Sequence, residues 1–356
     1  MEGKRLKLFT VGPVMMYPET LRIEGMQQPY FRNPQFSAVM LDIEQWFLES
    51  VGAPKGTRFI GLTASGTGAM DASVSNLLDE KDNVLVINGG SFGARFAELC
   101  SYYGIPHTDY VIPFGKAFDR EEFEKYSGRG FTALLVNACD TGTGQLYDLD
   151  YLGEFCARED MLLIVDAVSS YLADPIDMER QQIDVLFTAS QKALALSPGV
   201  SLIALGEKAL KRLGRGRHAY YFDFADYIEN QKRGQPPFTS AVGTMLALHQ
   251  RLEAIRSKGI DEAVAEHRRR AAFFREELKA LPVAMPDIPL SNCCTPVLFP
   301  KGNAMEVYEA LVTKYDIVLT PSGGGLRDKQ LRVGHLGNLT LEDLADLIEK
   351  LNGELK

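Results

Sequence analysis

The 356-residue chain has few cysteines, no basic tract and no long apolar run. Its five cysteines are Cys100, Cys139, Cys156, Cys293 and Cys294. They form no CxxC pair and have no histidine cluster beside them, so neither a disulfide framework nor a zinc or other metal site is expected. Free thiols, buried or half-buried in a reducing cytoplasm, fit this usage. Lys and Arg total 38 against 47 Asp and Glu, a net charge of −9. No cationic stretch offsets that balance, so neither a nucleic-acid backbone nor an anionic membrane surface is an expected partner. No apolar run reaches the roughly 18 residues of a membrane span. The opening Met1-Glu2-Gly3-Lys4-Arg5 leads into one short apolar patch, unlike a signal peptide. Neither an internal repeat nor a low-complexity tract is present.

The rest of the composition is ordinary for a folded chain: 46% hydrophobic and 24% charged. The length suits a large domain plus a smaller one. Short β-rich runs alternate with amphipathic stretches from about Phe59 to Gly206. Strands are expected at 59–63, 84–88, 132–136, 161–165, 184–188 and 200–204. Several are apolar at successive positions, which fits strands covered on both faces of a mainly parallel sheet. Helices are expected at 69–78, 92–103 and 149–157. This alternation predicts an open α/β layer structure, with chemistry gathered at strand ends. Residues 214–237, punctuated by Gly214, Gly216, Gly234, Pro236 and Pro237, read as a long irregular excursion. Helical patterns dominate after Gly243. One long helix is expected at 262–281, and a last one after the start signal Thr340-Leu341-Glu342-Asp343. The natural division is 1–249 as an N-terminal segment with the large domain, and 250–356 as a smaller α/β domain.

Three features of the large domain suit one site. Ser65-Gly66-Thr67-Gly68-Ala69 joins a strand to a helix, and free amides at a helix start attract anions. The same residues also suit an ordinary helix cap. No Gly-Lys-Ser/Thr follows, so this is not a P-loop, and Asp71 stands where a dinucleotide fingerprint needs its third glycine. Asp166 ends the apolar strand Leu162-Leu163-Ile164-Val165. A carboxylate there is rigid, partly desolvated and in need of a cationic partner. Lys192 follows another apolar strand among small and apolar neighbours. Burial would lower its pKa and supply the neutral amine that attack on an aldehyde requires. A phosphate pocket, a strand-end aspartate and a lysine in that order match the needs of pyridoxal 5′-phosphate (PLP).

The order and spacing resemble the class V branch of fold-type I PLP-dependent aminotransferases over nearly the whole chain. Within it, the alanine/serine–glyoxylate and 2-aminoethylphosphonate–pyruvate transaminase group is the most similar. Phe9-Thr10-Val11-Gly12-Pro13-Val14 resembles that group's N-terminal Gly-Pro loop. Tyr30-Phe31-Arg32-Asn33-Pro34-Gln35-Phe36 resembles its His-Arg-x-Pro-Glu-Phe element. Ser190-Gln191-Lys192 is similar to the alanine/serine–glyoxylate members, whereas the phosphonate enzymes tend to carry Asn before the lysine. The resemblance implies a large domain with a mainly parallel seven-stranded sheet between helices, and a smaller α/β C-terminal domain. It implies that Thr67, Gly68 and Ala69 hold the phosphate, with Ser65 and Gly66 also binding the cofactor. Phe92 and Val168 would flank the ring, Thr141 would bond near its hydroxyl, and Gln191 would sit beside Lys192. Pro237-Phe238-Thr239-Ser240 would lend Thr239 to a neighbouring subunit, giving a homodimer with shared sites. Gly12 and Arg332, the latter in Leu331-Arg332-Val333-Gly334, would meet the substrate, and Thr320 to Gly325 would form a mobile loop. His335 reads as a structural residue.

One departure stands out. The family's His-x-Glu-Thr-Ser-Thr-Gly run is Ala138-Cys139-Asp140-Thr141-Gly142-Thr143-Gly144 here, which affects the substrate geometry more than the cofactor. The implied activity is amino transfer from a small amino acid, alanine or serine-like, to a small 2-oxo acid such as glyoxylate or pyruvate. A 2-aminoethylphosphonate–pyruvate transaminase is an alternative. A cysteine desulfurase or selenocysteine lyase would need a thiol on the mobile loop, and 320–325 has none. A non-enzymatic binding protein that keeps the fold is disfavoured by Asp166, Lys192 and Arg332 occurring together.

Overall fold

The structure is a computed structural model that describes residues 6–215 and 219–355. Met1 to Arg5, Gly216 and His218 lie outside the described residues. Among the described residues, twelve strands occur in chain order. The first six are β1 (Lys7–Leu8), β2 (Arg58–Leu62), β3 (Val84–Asn88), β4 (His107–Val111), β5 (Ala133–Asn137) and β6 (Leu162–Asp166). Then come β7 (Val185–Ala189), β8 (Ser201–Leu205), β9 (Cys294–Leu298), β10 (Ile317–Val318), β11 (Thr320–Pro321) and β12 (Gln330–Gly334). The main sheet has seven strands in the order β2-β8-β7-β6-β5-β3-β4. The pairs from β4 to β7 are parallel, and β8 runs antiparallel to both of its neighbours.

The apolar runs are explained by what covers them. Alternate residues of each strand point to opposite faces. In β5, Ala133 and Leu135 join a core with Val74 and Phe96 from helices Gly66–Leu77 and Ser91–Tyr103. Leu134 and Val136 join a second core with Phe47, Leu152, Phe155 and Leu248 on the other face. With helices on both faces, neither set of side chains can be polar. Each fully buried Leu or Phe contributes roughly 1.5–3 kcal/mol of transfer free energy.

The six expected strands are present, displaced by one residue in all cases but 84–88. The seventh, β4, follows a different pattern: His107, Thr108 and Asp109 are half-buried, as suits the sheet edge. The stretch 214–237 is less irregular than expected, because it contains the helix Phe224–Gln231. Asp223 caps that helix through a hydrogen bond from Ala225 N, and Phe224 and Tyr227 anchor it in the core.

The C-terminal part has a three-stranded antiparallel sheet, β11-β12-β9, with its own core of Phe274, Leu278, Val297, Leu331, Leu344 and Leu347 among others. Phe9 joins that core, and β1 pairs with β10, so the N-terminal segment packs on the C-terminal sheet. Residue 250 falls inside the helix Val242–Lys258, which packs against helices Pro18–Glu24 and Pro34–Ser50. Thr340 and Asp343 form a reciprocal cap at the start of the last helix, Leu341–Glu354. Among the described residues, no helix is long and apolar enough to cross a membrane.

Candidate active site

The parallel strands β5 and β6 end side by side, with Asn137 in register with Asp166. Asn137 Nδ2 donates to Asp166 Oδ2 at 2.7 Å, and Val168 N donates to Oδ1 at 2.8 Å. Asp166 is 8% exposed. Burial pushes its carboxyl up to about 6, against the pull of these two hydrogen bonds and of Lys192. A carboxylate held in that way stays ionised best against a cation placed in the adjoining space.

Lys192 lies in a tight turn after β7. Ser190 N donates to Val200 O at 2.9 Å, Ala195 N to Lys192 O at 2.8 Å, and Ser190 Oγ to Ser197 O at 2.7 Å. These bonds aim the lysine inward. Its Nζ donates to Val11 O, and burial lowers its pKa. Gly12 makes the close approach possible. It has φ +127°, and a Cβ there would sit 2.7 Å from Lys192 Cδ.

Both groups face one cavity of about 290 Å³. Its wall includes Gly12, Ser65, Gly66, Thr67 and Phe92. Thr141, Val168 and Gln191 complete the set of expected residues on it. Thr141 Oγ1 lies 2.6 Å from Ser169 Oγ, and the buried Gln191 Oε1 has no partner among the described residues. At the start of helix Gly66–Leu77, Gly68 N donates to Ser65 Oγ and Ala69 N to Ser65 O. The amides left free are therefore those of Gly66 and Thr67, while Gly68 and Ala69 lie off the cavity wall. Gly66 is needed for packing, since a Cβ there would lie 2.8 Å from Val168 Cγ2.

Arg332 and Thr239 are not on this wall. Arg332 lines an adjoining cleft of about 570 Å³ with Gly90, Ser91, Gly142 and Ser322. Its Nη1 donates to Thr141 O at 3.2 Å and its Nη2 to Pro321 O at 3.0 Å, while the buried Nε has no partner among the described residues. Thr141, on the wall of the first space, is thus bonded to Arg332 in the second. Thr239 is exposed, beside the stacked rings of Tyr221 and Phe238, 5.1 Å apart. His335 is buried against Thr295, with Nε2 2.8 Å from Oγ1, and faces neither space. Asp140 Oδ1 accepts from Gly142 N at 2.8 Å and Thr143 N at 3.0 Å, shaping the loop between the two spaces. Among the described residues, no group of three or more His, Cys, Asp or Glu side chains could hold a metal ion.

Two wall residues and two residues bonded to the wall carry no assignment from the sequence. Asn137 closes an apolar strand as Asp166 does, and that shared signal could have marked it. Arg95 donates to Thr67 Oγ1 at 2.9 Å and lies 4.9 Å from the Phe92 ring centroid, a placement with no sequence signal. The two on the wall itself are Cys139 and Ser169.

The profile of the class-V aminotransferases matches residues 31–320. The chain belongs to that family. An uncharacterized aminotransferase of Methanocaldococcus jannaschii is 30% identical over 93% of this chain and 87% of its own length. The L-aspartate–glyoxylate aminotransferase of Paracoccus denitrificans is 26% identical over 94% of this chain and 87% of its own length. The crystal structure of an alanine–glyoxylate aminotransferase from Nostoc sp. superposes with a TM-score of 0.93 at 25% identity, covering 100% of this chain and 97% of that one. The chain is thus an aminotransferase with the fold-type I architecture, and the family is PLP-dependent.

The residues present fit that cofactor. The free amides of Gly66 and Thr67 with the Ser65 and Thr67 hydroxyls suit a phosphate. A buried carboxyl suits a protonated ring nitrogen, and a buried, pKa-lowered amine suits an aldehyde.

Proposed function

We propose that this aminotransferase moves an amino group from a small amino acid, alanine or serine-like, to a small 2-oxo acid such as glyoxylate or pyruvate. PLP is its cofactor and Lys192 its attachment point. The observation that carries this reading is the meeting of buried Asp166 and buried Lys192 on one cavity whose wall includes a helix start with free amides. When bound, PLP supplies an aldehyde that takes up the amino group and a ring that holds the electrons released at Cα. Asp166 would keep its ring nitrogen protonated, Phe92 and Val168 would pack on the ring, and Thr141 and Gln191 would hold its edge. Lys192 Nζ would take the proton from the substrate Cα and return it after the transfer. Arg332 binds the substrate carboxylate, exchanging its bonds to Thr141 O and Pro321 O for a bidentate pair.

Two relatives support glyoxylate as acceptor while naming different donors, alanine and L-aspartate. Gln191 favours the alanine/serine side over a 2-aminoethylphosphonate donor. A desulfurase reading has less support, because Cys293 and Cys294 are buried and the 320–325 loop has no cysteine. We further infer a cytoplasmic homodimer, in which exposed Thr239 reaches the partner's phosphate site, and a small C-terminal unit that carries Arg332. The test is a donor screen following bleaching of the cofactor's visible absorbance, with alanine, serine, aspartate and 2-aminoethylphosphonate compared. Bleaching by alanine or serine is expected. Bleaching by 2-aminoethylphosphonate alone would overturn the donor assignment.

A further inference from the structure

Three cysteines meet behind the cavity. Cys139 follows β5 and lines the cavity wall, while Cys293 and Cys294 stand at the start of β9. Cys139 Sγ lies 3.5 Å from Cys293 Sγ, which lies 3.6 Å from Cys294 Sγ. All three are buried and free, and they join chain segments more than 150 residues apart: Cys139 and Cys293 are separated by 154 positions. Amino transfer uses none of them.

We propose that Cys139 and Cys293 form an oxidant-sensitive modification site, which small hydroperoxides convert to a disulfide that fastens the loop after β5 to the three-stranded sheet. The chemistry balances in two steps. A hydroperoxide entering the cavity gives one oxygen to Cys139, forming a sulfenic acid and releasing water or an alcohol. Cys293 sulfur then attacks Cys139 sulfur, and the hydroxyl leaves as water with the displaced proton. The two sulfurs together lose two electrons, and the peroxide gains them.

Geometry decides the order and the pairing. Cys139 meets the oxidant because it is the cysteine on the cavity wall. Cys293 stands directly behind it. The hydrogen bond between the two lowers the Cys293 pKa and, with burial, raises that of Cys139, which suits Cys293 to the attacking role of the second step. A disulfide is about 2.05 Å long, so the pair must close by about 1.5 Å, within reach of side-chain rotation. The alternative partner, Cys294, adjoins Cys293 in the chain, and a bond between neighbours would strain the peptide joining them. Cys100 sits in the core on the other face of the sheet and Cys156 in the helix Leu149–Arg158, and both act as internal controls.

The bond would reach the reaction through two segments. Thr141, two residues after Cys139, holds Arg332 through its carbonyl. Strand β9 is in register with β12, Pro296 opposite Arg332. Fastening both segments fixes the guanidinium where a substrate carboxylate needs it to turn.

The test treats the PLP-loaded protein with hydrogen peroxide, then titrates thiols under denaturing conditions and maps peptides without reduction. The expected result is loss of two of the five thiols, a linked peptide pair containing Cys139 and Cys293, and lost activity that dithiothreitol restores. Cys293→Ala should begin with wild-type activity and keep it under the same exposure. A map without that linked pair overturns the proposal, as does equal peroxide inactivation of Cys293→Ala. Should the variant fail to fold, the wild-type map decides alone. The map is independent of the donor assignment, so failure of one leaves the other standing.

Discussion

The seven-stranded and three-stranded sheets hold the groups of the candidate site in different ways. On the seven-stranded side, Asp166 and Asn137 close two fully buried strands, and Lys192 emerges from a turn fixed by its own hydrogen bonds. On the three-stranded side, Arg332 rests on two carbonyl oxygens and leaves Nε without a partner among the described residues, beside a loop of three glycines. One wall is set before any ligand arrives, and the other is built to exchange partners. In the proposed function, Asp166 and Lys192 hold a charge and a proton on the first, and Arg332 grips and releases two different acids on the second.

Substitutions can break or sharpen that contrast. The largest effect is expected for Lys192→Ala: a fall in turnover on the order of 10⁴-fold or more, because the nucleophile and the proton carrier are lost together. Single-turnover absorbance would follow it, and a near-normal rate would remove Lys192 from the chemistry. Arg332→Lys keeps the charge and loses the fork, so KM for both acids should rise by about 10- to 100-fold. The cofactor spectrum should not change. A spectral change would mean that the two walls do not divide their work.

Smaller effects concern the rigid wall itself. Gly12→Ala adds a Cβ 2.7 Å from Lys192 Cδ at a positive φ, and should lower stability by about 1–3 kcal/mol in urea titration. The last prediction concerns pH. The Asp166 carboxyl is raised in the fold from 3.8 to about 6. Its contribution is therefore fully present below pH 3.8 and lost as pH rises through about 6. In cofactor-free protein at neutral pH the ionised group costs about 3 kcal/mol. Asp166→Asn should flatten stability between pH 4 and 7, read by denaturant midpoints. An unchanged pH slope would show that Asp166 is not the buried group responsible.

The same contrast marks what the sequence made legible. The rigid wall is encoded locally. Buried strands are continuous apolar runs, and a polar residue at the end of one, such as Asp166, stands out. The sheet edge was harder to read, because β4 is half-buried and carries His107 and Asp109. The helix Phe224–Gln231 was hidden by the glycines and prolines around it, although its Asp223 cap was available as a signal. Contacts across the chain left no local trace. Arg95 reaches Thr67, and Cys139 meets Cys293, only because the fold brings them together. Arg332 was found through a family resemblance, and nothing near it in the chain places it beside Thr141.

The most direct test of the central claim is borohydride reduction of the PLP-loaded protein followed by peptide mapping. The account predicts one stable pyridoxyl adduct, on Lys192. An adduct on another lysine, or none on a protein that still transfers amino groups, would contradict it.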